Sequence, residues 1–238
     1  MFDTRQVEVK QPQPERRRLG VALAVLVVLA AVITVPLLLR DDGGSAAEIT
    51  TATVAGVAVE LLPWGEDPSG VHVQVTVPPG WTRSSGYVRK SGDLSLLASA
   101  VENVYGDRCQ WTGTLLDPPV GPGVNDLATA FATIWRAGAT SPTDVVLGGY
   151  TGKQMDLTVP ADANFGDCDA GRYMVWSHPG NGRLEDNRWA QWPGQVLRLW
   201  ILDVEGRRIV IEATHSPSAS ASGQAELQQV VGSIAIEP

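Results

Sequence analysis

The hydropathy pattern divides the chain into one unbroken apolar run and a long stretch of alternation. Leu19 to Leu39 (LGVALAVLVVLAAVITVPLLL) is softened only by Thr34 and Pro36. At ~1.5 Å per residue a helix of that length crosses the ~30 Å hydrocarbon core, and only a helix satisfies its own backbone there. A cleaved secretory signal would be shorter and would end in small residues. Here the run ends in Leu-Leu-Leu-Arg-Asp-Asp, and the one tolerable cleavage triplet, Ser45-Ala46-Ala47, lies too far downstream. The pattern predicts an uncleaved transmembrane helix over 19–39.

Beyond the run the alternation is that of half-buried strands. Ile49 to Leu62 and Val71 to Val77 (VHVQVTV) alternate at period two, and Pro78-Pro79-Gly80 ends the second, with Trp81 folding back onto the core. Gly86–Lys90 and Leu94–Tyr105 flank a hairpin-type turn at Ser91-Gly92. Three prolines between Cys109 and Gly123 exclude a strand interior there. Val124–Ala137 puts Leu127, Ala130, Phe131, Ile134 and Trp135 on one helical face, with Asn125 as the expected N-cap and Gly138 as the stop. Val145–Leu147 and Met155–Val159 flank a bend, and Gly171–Ser177 forms a short strand. Val196–Val204 and Arg208–Thr214 form the strongest hairpin, about Glu205-Gly206. A helix over Ala221–Val231 and a strand from Ile234 close the chain. The expectation is an α+β domain: one antiparallel sheet packed with about two helices.

Charge fixes the orientation. Residues 1–18 hold five basic side chains against three acidic, with Arg16, Arg17 and Arg18 abutting the apolar run, whereas residues 41–238 hold twelve against twenty-three. Positive flanks stay in the cytoplasm. The chain then reads as a disordered cytoplasmic tail (1–18), a transmembrane helix (19–39), a Gly- and Ser-containing linker (40–47) and an extracytoplasmic domain (48–238) in the cell envelope. The acidic outer part lacks the clustered basic footprint that a nucleic-acid partner needs. The one partner written into the sequence is the membrane, through Leu19–Leu39.

Candidate chemistry is sparse. Cys109 and Cys168 both fall on the outer side, and an even pair in an oxidising space predicts a disulfide. Neither has the Cys-x-x-Cys or histidine company of a metal site, and no metal or cofactor is expected. His72, His178 and His215 sit on or beside expected strands, and no serine lies in a Gly-x-Ser-x-Gly elbow. Asp162, Asn164, Asp167 and Asp169 resemble a calcium loop, but Gly166 and Asp167 are transposed relative to that motif and the distal glutamate is missing. A solvated acidic loop held by Cys168 is the expectation. Trp189 and Trp192, in a loop-like stretch beside Arg188, form the candidate binding site, since rings next to polar groups stack on sugars or anchor a protein partner.

The proline-glycine-tryptophan strand end (Pro79-Gly80-Trp81), the mid-chain helix, the Gly149-Tyr150-Thr151-Gly152 bend, the late hairpin and the closing helix together resemble the PsbP/Mog-like α/β fold. Most of residues 70–236 is covered. The chain also resembles a group of actinobacterial single-pass membrane proteins whose outer domain carries paired cysteines near Tyr105 and Trp111. Lipid-modified relatives have a cysteine after the apolar run, which this chain lacks. The resemblance implies a binding role rather than catalysis. The function expected is a membrane-anchored envelope binding or protein-interaction module. The alternative is an envelope hydrolase with a dispersed active site.

Overall fold

In the computed structural model the residues described are 56–61, 63, 70–84, 86–179 and 187–238. The expected tail, membrane helix and linker lie outside them, as does the start of the first expected strand (49–55). Among the described residues no helix is long and apolar enough to cross a membrane.

The elements run β1 (Val57–Leu61), β2 (His72–Val77), β3 (Thr82–Ser84), β4 (Tyr87–Lys90), β5 (Leu94–Ser99), β6 (Asn103–Val104) and α1 (Val124–Trp135). They continue with β7 (Thr143–Leu147), β8 (Tyr150–Thr158), β9 (Tyr173–Ser177), β10 (Arg188–Ala190), β11 (Val196–Val204), β12 (Arg207–His215), α2 (Ala221–Gly232) and β13 (Ala235–Glu237). Among the described residues the α+β class is as expected, with antiparallel pairing and two α-helices, but the strands form three sheets rather than one. A seven-stranded sheet has the order β3-β4-β5-β12-β11-β8-β7, and two three-stranded sheets have the orders β1-β2-β13 and β10-β9-β6. The expected strand from Leu94 to Tyr105 breaks after Ser99, and its second part, β6, pairs with β9 in a different sheet.

Alternation explains the layering. On β11, Trp200, Leu202 and Val204 join Ile209, Ile211 and Ala213 of β12 in a core shared with β1, β2 and α2, while Leu197, Leu199 and Ile201 face a second core with α1 and β9. A strand covered on both faces reads as a near-continuous apolar run, which is why LRLWILDV carries so few polar residues. Phe131 and Leu127 of α1 are fully buried in the second core, and Phe131 meets Trp176 edge to face with centroids 5.9 Å apart.

Two positions, one in a turn and one inside β8, need glycine for space. A Cβ at Gly148 would meet Ile236 at 2.8 Å, and one at Gly152 would stand 2.0 Å from the Ile201 carbonyl. Gly148 and Gly149, both at positive φ, make the two-residue turn joining Leu147 to Tyr150.

The ends of α1 differ from expectation. Gly123, not Asn125, is the N-cap, because the Asp126 carboxylate reaches back to the Gly123 N–H at 2.9 Å. Arg136, not Gly138, takes a positive φ after the last turn, and the Arg108 guanidinium donates to the Ile134 carbonyl at 2.6 Å. Arg208 of β12 fixes the start of α1 by donating to the carbonyls of Gly121, Gly123 and Val101.

The Cys109–Cys168 disulfide is present and joins the proline-rich segment to the acidic loop. Around it Asp169 N–H donates to the Cys109 carbonyl and Met174 N–H to that of Arg108, both at 2.8 Å. A cross-link over 59 residues is worth ~4 kcal/mol in the chain-entropy model. The double substitution Cys109→Ser/Cys168→Ser is therefore expected to lower unfolding stability by about 2–5 kcal/mol in urea titration under non-reducing conditions; an unchanged midpoint would contradict this.

On the other face α2 is tied to the hairpin by Glu226, which accepts from Lys90 Nζ and from Trp81 Nε1, each at 2.6 Å. The Lys90 ammonium, helped by the indole, holds the Glu226 carboxyl below its ordinary pKa. A depressed carboxylate stabilises the fold above its unfolded pKa, and that contribution vanishes as pH falls through the folded value. The difference in melting temperature between the native chain and Glu226→Gln should be full at neutral pH and close under acid. A difference that persists to about pH 2 would refute the linkage.

Candidate functional site

The second face of the seven-stranded sheet is covered by α1 and by the β10-β9-β6 sheet, whose outer strand is β10. Beside β10 the hairpin of β4 and β5 forms the floor of a groove of about 300 Å³. The register sets Tyr87 opposite Leu97 and Arg89 opposite Ser95, so these four side chains share one face and line the floor. The wall is the stretch from Asn187 to Trp192.

Beneath the wall lies a buried ion pair. Arg188 is 6% exposed and Glu212, on β12, is fully buried. The guanidinium donates through Nε to Glu212 Oε2 at 2.8 Å and to Oε1 at 3.1 Å, and through Nη2 to Oε1. The Thr214 hydroxyl also donates to this carboxylate, and Arg188 Nη1 donates to the Trp189 carbonyl. The charges are neutralised internally, and β10 is held down on the central sheet.

The turn after β10 is fixed by another buried side chain. Gln195, fully buried, accepts the N–H groups of Gln191 at 2.5 Å and Trp192 at 3.3 Å. This presents Trp192, which is 38% exposed, at the groove rim. Trp189 is placed differently. The β10–β9 register shifts between Arg188 and Trp189, and the Trp189 ring packs against Tyr105, Trp111 and Met174. Arg172 lies over its ring, 4.4 Å from the centroid.

The three residues singled out from the sequence come together at this groove, in different orientations. Trp189, Trp192 and Arg188 all line the groove, yet Trp192 alone is an exposed ring and Arg188 points inward as a positioning residue. Tyr87, Arg89, Ser95 and Leu97 were not anticipated. Their signal was the alternation about Ser91-Gly92, which sets them on one face, but nothing local shows which face lacks a cover. Glu212 also left a trace as an acid in the otherwise apolar strand IVIEAT.

The other candidates lie apart from the groove. His72 Nδ1 is 2.5 Å from Glu60 on the exposed face of β2, His178 Nδ1 bonds the Ala100 carbonyl at 2.8 Å, and His215 Nδ1 faces the Ser216 carbonyl at 3.2 Å. In the acidic loop Asn164 donates to Asp167 at 2.9 Å, and the Thr112 side chain, followed by the Thr112 N–H at 2.8 Å, lowers the pKa of the Asp169 carboxyl. Among the described residues no three His, Cys, Asp or Glu side chains converge as a metal set.

No protein-family model and no curated protein matches the chain. Solved structures similar in outline include two of bacterial proteins. LpqN of Mycobacterium tuberculosis, involved in cell envelope biogenesis, superposes with a TM-score of 0.36 at 12% identity over 76% of this chain and 92% of its own. The cyanobacterial PsbP of Synechocystis sp. PCC 6803 gives 0.34 at 12% identity over 82% and 98%. At these scores neither likeness bears on what the chain binds.

The ion pair makes a specific prediction. Removing one partner of a buried pair strands the other charge, so Glu212→Gln and Arg188→Met should each destabilise the fold by about 3–5 kcal/mol. The combined Arg188→Met/Glu212→Leu variant should recover most of that loss in chemical denaturation, because no charge remains to be desolvated. Additive losses in the combined variant would show that the pair is not coupled.

Proposed function

We propose that this chain is a membrane-anchored extracytoplasmic binding module of the cell envelope, tethered through Leu19–Leu39 and taking an envelope glycan or protein in the groove beside Trp192. The observation that carries the reading is the groove itself. An exposed indole, held in place by the buried Gln195, stands over an apolar floor of Tyr87 and Leu97. Partly apolar concave surfaces with a few placed polar groups are where ligands are held, and an aromatic ring with one face to solvent stacks or anchors well. The ionic groups below are consumed by each other, so the groove offers recognition surface. The disulfide suits an oxidising space outside the cytoplasm, and the triple arginine before the apolar run supports the outward placement of the C-terminal part.

The test places a photoreactive residue at Gln191, on the groove wall, in the full chain in intact cells. The chain should sediment with membranes, and irradiation should give an adduct that is lost in Trp192→Ala. A chain recovered in the soluble fraction would refute the tether. An adduct indifferent to Trp192, or equal to one formed from a photoreactive residue at Glu102 outside the groove, would refute the site.

A further inference from the structure

We infer that the groove is a site for an acidic saccharide, with a carboxylate or phosphate on Arg89 and a sugar ring against Trp192; the inference rests on the groove being the binding site. Three cationic side chains stand in or near it, and two are engaged. Arg188 is bound to Glu212, and Arg172 lies over Trp189. Among the described residues no acid or carbonyl pairs with the guanidinium of Arg89, which is exposed on the floor strand. An unpaired guanidinium with a fork of donors beside an aromatic rim is suited to a planar carboxylate or a phosphate.

This positive feature belongs to a stretch of net negative charge, since residues 41–238 carry twelve basic side chains against twenty-three acidic. An anion gains nothing from the long-range field of such a domain, so the local arginine must supply the recognition. A cationic ligand, favoured by that field elsewhere on the surface, is disfavoured here by Arg89.

Shape and polarity select a sugar to carry the acid. The Ser95 hydroxyl stands across from Arg89, and the Gln191 amide lies on the wall. Sugar hydroxyls can pair with both, whereas an acyl chain would desolvate them without compensation. At about 300 Å³ the open groove is at the small end of ligand sites, with room for a mono- or disaccharide. Its one exposed ring, Trp192, offers a flat platform for the C–H face of a pyranose.

Calorimetric titration of the full chain in detergent micelles, with digalacturonate against neutral cellobiose, tests the assignment. Digalacturonate should bind at least about tenfold more tightly than cellobiose, and the preference should weaken between roughly 0.05 and 0.5 M salt. Arg89→Gln should abolish the preference without changing the melting temperature, since Arg89 is exposed; Arg89→Lys should keep part of it, and Trp192→Ala should weaken both sugars. Equal binding of the two sugars, unaltered in Arg89→Gln, would overturn the acidic ligand while leaving the groove as the site. No binding of either sugar, with a Trp192-dependent adduct at Gln191 intact, would replace the saccharide by a protein partner and overturn the inference alone. Loss of that adduct as well would remove the site itself.

Discussion

The β11–β12 hairpin has to be covered on both faces, and the rest of the domain is arranged to meet that demand. Its nine-residue strands pair along their whole length, from Val196 with His215 to Val204 with Arg207. Side chains alternate along each strand, so every second apolar residue faces the opposite layer. One layer is α2 with β1, β2 and β13, and the other is α1 with β6, β9 and β10. Burial of a large aliphatic side chain is worth ~1.5–3 kcal/mol, and the hairpin contributes nine apolar residues with less than 3% exposure, from Leu197 and Leu199 to Val210 and Ala213. Glu205 and Gly206 at its turn both take positive φ, which matches the right-handed twist of the strands they join.

Glu212 is the exception within that hairpin, and it ties the groove wall to the core. A carboxylate without exposure would be prohibitively costly alone, so its position requires a cation from the layer above. Arg188 meets that need and brings β10 with it. The segment bearing Trp192 thus takes its height above the floor from an ion pair, and its turn conformation from Gln195. A pair of this kind is weak evidence for stability, because a hydrophobic isostere often serves as well. Its value here is positional, since an apolar contact would fix the depth of β10 but not the direction of its side chains.

The outer face of β10 is secured by a different group of contacts. Tyr105 and Trp111 pack edge to face at 6.1 Å, Trp111 Nε1 donates to the Asp169 carbonyl at 2.8 Å, and Trp189 closes the cluster. The disulfide holds the two irregular segments carrying these residues at a Cα separation of 4.4 Å. Arg108 completes the clamp by bonding Tyr173 at 2.7 Å while lying over the Trp135 ring. Backbone stretches without a ladder are thereby held by side chains, which leaves the wall backed on both sides.

What the sequence determined by itself was the set of elements that depend on near neighbours. Period-two runs gave the strands, the period of Leu127, Phe131 and Trp135 gave α1, and turn chemistry at Ser91-Gly92 and Glu205-Gly206 gave the hairpins, because dihedral preference and side-chain alternation are local properties. The pairing of Cys109 with Cys168 followed from there being only two. The cap of α1 was misplaced because Asp126 could serve Gly123 as readily as Asn125 could serve as the cap residue. Tertiary structure alone decided that the chain from Leu94 to Tyr105 changes sheet after Ser99. It alone turned Arg188 inward and Trp189 onto Trp111, and left Tyr87, Arg89, Ser95 and Leu97 beside the edge of a covering layer. Which face of a strand is covered depends on residues about a hundred positions away, such as Glu212 opposite Leu97, and no local pattern records that.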